Sequence, residues 1–145
     1  MKVLLAAVLA AALPAAAAAE EKIGAGVTLD TATPISAIIA APKDYAGKTV
    51  RIDGVATAVC EAMGCWMAVA ESGEKNAPTI RLKVEHEGTI KFPMTAKGRK
   101  VSAQGRFEAI GAQDAHAKDA AAEHARHDAK ASADYQITAT GAVVR

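Results

Sequence analysis

"KTVRIDGVATAVCEAMGCWMAVAE", residues 48–71, decides the fold. In its first half Val50, Ile52, Val55 or Ala56, and Val59 alternate with polar residues, the period of a strand with one buried face. "CWMAVAE", residues 65–71, reads as a second strand. The spacer from Glu61 to Gly64 is short enough for a hairpin loop, and Gly64 can supply the positive φ such a loop requires. Gly54 interrupts the first strand and predicts a bulge or sharp bend, as small barrels need at their corners.

Three more strands follow from the same pattern. "TIRLKVE", residues 79–85, places Ile80, Leu82 and Val84 on one face. "RKVSAQGRFEAI", residues 99–110, carries Gly105 as its bend, and "YQITATGAVV", residues 135–144, is the fifth. "ESGEKNAP" is a loop, and "EGTIKFPMTAKG" an irregular connection with Phe92, Pro93 and Met94. Upstream, Pro34 suits a first helical turn, while Ile35, Ile38 and Ile39 share a helical face. Pro42 should end that helix, so a short helix is expected at about 34–41.

Residues 112–131, "AQDAHAKDAAAEHARHDAKA", have high helix propensity and no large apolar residue. The fold class expected is mainly β: a small five-stranded OB-like barrel with a short N-terminal helix and a late Ala/His-rich helix. The usual OB helix lies between the third and fourth strands, and here the strong helix lies one connection later. An immunoglobulin-like sandwich would need about seven strands. Residues 34–145 form the single domain, and 20–33 read as a leader or edge segment.

The first nineteen residues read as a cleavable signal peptide. They have one positive charge at Lys2, an apolar run, a breaker at Pro14, and Ala17 and Ala19 in the small-x-small pattern of a cleavage site. The run is too short and too rich in alanine for a stable transmembrane helix. An exported, periplasmic protein is expected, with no membrane insertion after cleavage. Removing Lys2 leaves 16 basic residues against 16 acidic ones, from the 17 and 16 of the whole chain. A neutral surface argues against phosphate tracking, and the strands lack aromatic platforms, so nucleic acid is not an expected partner.

The chain has two cysteines, one tryptophan and four methionines. Cys60-x4-Cys65 is not the C-x-x-C of thioredoxin-like or zinc-knuckle sites. In a hairpin both cysteines flank the loop at facing strand ends, within reach of a disulfide. Three readings stay open. A structural Cys60–Cys65 disulfide suits an exported protein and contributes about 2–3 kcal/mol. A soft-metal site would use both thiolates with thioethers from Met67 on the strand and Met63 in the loop, favouring copper(I), or with imidazole, favouring zinc(II). Thiol-redox chemistry is disfavoured by the lack of a cation near either cysteine, Glu61 being the nearest charge. Trp66 would shield such a site or serve as a core aromatic.

His116, His124 and His127 fall in the late segment, and His86 in the loop after the third strand. As a helix, residues 116 and 127 lie about 16 Å apart along the axis and cannot share an ion. Glu123, His124 and His127 span about 6 Å and can. His127 is the candidate further ligand, with Glu123 and His124 secondary. If the Ala117, Ala121 and Ala125 face docks instead, the histidines are a solvated face.

"GKTVRIDGVATAVCEAMGCWMAV" resembles a bacterial family of exported proteins of unknown function, DUF-4920. The resemblance rests on Gly47, Lys48, Val50, Ile52 and Gly54, then Cys60, Gly64, Cys65, Trp66 and Met67, then His127 with Asp128. It implies export and a compact β-rich, OB-like domain, with no established reaction. The function expected is a non-enzymatic module binding copper or zinc. The alternatives are a disulfide-stapled structural or protein-interaction module, and a thiol-redox or metal- or heme-assembly accessory factor with a protein partner. No Ser-His-Asp motif, phosphate loop or pair of catalytic carboxylates stands out in the sequence.

Overall fold

The structure is a computed structural model that describes residues 19–84, 90–110 and 134–145. Its elements are β1 (Glu21–Gly24), α1 (Ile35–Ala40), α2 (Pro42–Tyr45), β2 (Thr49–Val59), β3 (Trp66–Ala70), β4 (Thr79–Lys83), a 3-10 turn (Met94–Ala96), β5 (Lys100–Ala109) and β6 (Tyr135–Val144). All five strands expected from the alternation are present, and the leader supplies β1 as an edge strand. The late Ala/His-rich segment, with His116, Glu123, His124 and His127, lies outside the described residues, as does His86.

Five strands close into a barrel. β2 pairs with β3, β3 with β4, β4 with β6, β6 with β5, and β5 returns to β2. Every pairing is antiparallel except β4–β6, where Leu82 and Lys83 run parallel to Ile137 and Thr138. Counting barrel strands from β2, the order is first, second, third, fifth, fourth, with the third and fifth parallel. That is the strand order of an OB-like barrel. β1 adds to β6 outside this ring, with Glu21 opposite Val144.

The core is built by strand alternation. Ile52, Met67, Val69, Ile80, Leu82, Phe107 and Ile137 are almost fully buried. Ile35 and Ile38 of α1 close one end, fully buried, and Ile39 packs beside them. Each such side chain contributes about 1.5–3 kcal/mol when fully buried, so a few of them dominate a domain this small. Pro42 does break the helix, but it also starts α2, where a proline at the first position forfeits no internal hydrogen bond.

Two glycines in the sheet both sit at close backbone approaches, but only Gly105 also lies at a register shift. β2 shifts register between Ala56 and Ala58, past Gly54. That bulge lets both Ala56 and Val59 point inward although three residues apart. Gly54 serves close packing instead: a Cβ there would stand 2.2 Å from the carbonyl oxygen of Ala70. Gly105 is the expected bend, since β5 shifts register between Gln104 and Gly105.

Candidate functional site

The β2–β3 ladder ends with Val59 opposite Met67. One step further, the Cys60 amide donates to the Trp66 carbonyl at 2.9 Å, and the Gly64 amide to the Cys60 carbonyl at 3.0 Å. The second bond closes a single tight turn, with Gly64 at φ +63°. The loop is held from outside as well. Val84 N–H donates to the Cys65 carbonyl at 3.0 Å, and Phe92 N–H to the Gly64 carbonyl at 2.9 Å.

These constraints bring the two cysteines together. Both are unbonded thiols, each partly exposed, and the Cys65 thiol donates to Cys60 Sγ across 3.0 Å. Burial pushes the Cys60 thiol up. Hydrogen bonds from the Cys65 thiol and from the N–H groups of Met63, Cys65 and Ala62 outweigh it and lower the thiol from 9.0 to about 7. Cys65 is pushed the other way by burial, by its donated hydrogen bond and by the negative charge on Cys60. Its own N–H and Arg81 oppose that rise.

Hydrogen bonds, with no cation, lower the Cys60 thiol. Backbone N–H groups of a tight loop stabilise a thiolate as a charged neighbour does, because hydrogen bonds to the charged form favour it. The one sequence clue was Gly64, whose left-handed backbone permits the turn that gathers them.

The remaining candidates separate clearly. Met67 points into the barrel and is fully buried among core residues. Met63 stands in the loop, 68% exposed. Cys65 packs against the core edge. Trp66 is half-buried, with the Arg81 guanidinium 5.2 Å from its ring centroid, so the ring faces a cation on its own strand pair. His127, Glu123 and His124 lie outside the described residues.

Two thiolates holding one ion at about 2.3 Å each stand about 3.8 Å apart in tetrahedral geometry. The pair meets that need if its sulfurs move apart by less than about 1 Å, which side chains at an open loop allow. Moving together instead, they reach the roughly 2.05 Å of a disulfide. Among the described residues, no third His, Cys, Asp or Glu joins the two cysteines in a cluster. Among the described residues, too, no helix is long and apolar enough to cross a membrane. No protein-family model and no curated protein matches the chain.

Proposed function

We propose that this protein is an exported, non-enzymatic β-barrel module that binds one soft or borderline metal ion at Cys60 and Cys65. Copper(I) suits two thiolates with thioether neighbours, and zinc(II) suits two thiolates with imidazole. The observation that carries this reading is the meeting of the chain's only two cysteines at one open loop, with sulfurs 3.0 Å apart. His127 stays a candidate further ligand, with Glu123 and His124 secondary, and Met63 and Met67 are the thioether candidates. Export rests on the signal-like first nineteen residues.

The test is a competition titration of fully reduced protein with copper(I) and zinc(II), beside a Cys60→Ser/Cys65→Ser variant. Metal should bind one per chain in the parent and be lost in the variant. Equal affinity in both would exclude the site.

A second reading is favoured by the same 3.0 Å separation. The dithiol would close to a Cys60–Cys65 disulfide, giving two electrons and two protons to a partner's disulfide, which is reduced to two thiols. A reduction potential below about −300 mV would mark this bridge as a structural staple, and a higher one as an exchanging pair.

A further inference from the structure

We infer that Met94 and Met63 supply auxiliary thioether sulfur at this site and so direct it toward copper(I) rather than zinc(II); this rests on the thiol pair being a metal site.

Apart from Met1, sulfur is confined to two places in the chain, residues 60–67 and Met94. The fold joins those two places. Phe92 N–H bonds the Gly64 carbonyl at 2.9 Å, and Gly64 packs so closely that an added Cβ would stand 2.4 Å from the Phe92 oxygen. Phe92 itself is anchored, 2% exposed. An extended Pro93 then leads directly to Met94, the first residue of the 3-10 turn. Met63 precedes Gly64, so the two methionines leave the same backbone contact from its two sides.

Their exposure is the second observation. Among the described residues only three large hydrophobic side chains are exposed: Leu29, Met63 and Met94. Two of the three are therefore thioethers, one within the cysteine loop and one two residues beyond the Phe92 backbone that contacts it. Both side chains reach solvent, Met63 at 68% and Met94 at 48% exposed. Met67 differs, being fully buried among core residues. Thioethers are neutral, soft donors that add to copper(I) sites, whereas zinc(II) prefers thiolate and imidazole. Flexible methionine side chains can also adjust to an ion without moving the backbone.

The experiment uses the full chain, reduced, with copper(I) buffered by a chromogenic chelator and zinc(II) measured in parallel. Parent protein is compared with Met94→Leu, Met63→Leu, the double variant and Cys60→Ser/Cys65→Ser. Copper X-ray absorption counts the sulfur neighbours. The methionine variants should lose roughly tenfold in copper(I) affinity each, the lower end of what a weakened ligand environment costs. They should keep zinc(II) affinity, which also reports a folded thiol site, and the copper should lose sulfur neighbours. Unchanged copper(I) affinity and sulfur count in the double variant, with binding lost in the cysteine variant, would overturn the methionine role alone. Copper(I) binding that ignores the cysteines, or no binding by the parent, would overturn both.

Discussion

Gly64 and Phe92 are locked to each other by backbone alone: the Phe92 amide donates to the Gly64 carbonyl at 2.9 Å, while the Gly64 Cα faces the Phe92 oxygen with no room for a side chain. Gly64 also holds φ +63°, a left-handed conformation that costs other residues about 1 kcal/mol or more. Both effects oppose the same substitution. Gly64→Ala should therefore destabilise the protein by about 1–3 kcal/mol. Urea unfolding gives the number, and an unchanged midpoint would mean that the loop tolerates another path. Because the turn gathers the N–H groups around Cys60, the same variant should also return the Cys60 thiol toward its ordinary range.

Thiol reactivity tests that last point directly. Cys60 is held at about 7, while Cys65 is raised above the ordinary thiol value. Only the thiolate is nucleophilic. Brief iodoacetamide labelling at neutral pH should therefore mark Cys60 before Cys65. Its rate should rise through pH 7 and level off above, since the proton is lost as pH passes the lowered value. Peptide mapping by mass spectrometry locates the label. First labelling at Cys65, or a midpoint near that of a free thiol, would contradict the loop geometry.

The barrel was legible because burial writes itself into alternation. Ile80, Leu82 and Val84 had to share a face, and all three are buried. The hairpin was legible from Gly64 and its short spacer. The β2 bulge was misplaced at Gly54 because glycine marks both bends and close approaches, and here it marks an approach to Ala70. The β2 bulge at 56–58 has no glycine to announce it. Met94 did not stand out as a thioether candidate, since what draws its segment to the cysteine loop is a backbone bond, Phe92 to Gly64, between positions about thirty apart. Such a bond leaves no mark on side-chain pattern.

The leader strand tests which of two effects holds it. Arg145 pairs with Glu20 at 3.0 Å, and Arg99 with Glu21 at 3.9 Å, all at exposed or half-exposed positions. Such pairs contribute about 0–1 kcal/mol. Gly141, by contrast, lies against Gly26 so closely that a Cβ would stand 2.0 Å from its oxygen. Arg145→Ala should lower stability by less than about 1 kcal/mol, and Gly141→Ala by about 1–3 kcal/mol. Denaturant unfolding compares them. A larger loss from Arg145→Ala would place the ion pairs above the backbone contact.

Metal should report itself as stability, because an ion that binds only the folded protein shifts the unfolding equilibrium. Copper(I) buffered at about one hundred times its dissociation constant should add about 2.7 kcal/mol. Met67→Leu separates the buried methionine from the exposed ones. The change conserves volume at a fully buried position, so the metal-free protein should lose less than about 1.5 kcal/mol. If Met67 belongs to the core alone, the increment added by copper stays the same in this variant and disappears in Cys60→Ser/Cys65→Ser. Should the increment shrink in Met67→Leu while the metal-free stability holds, its sulfur reaches the ion. The barrel would then have to open at the β2–β3 end, where Val59 faces Met67, to let the metal in.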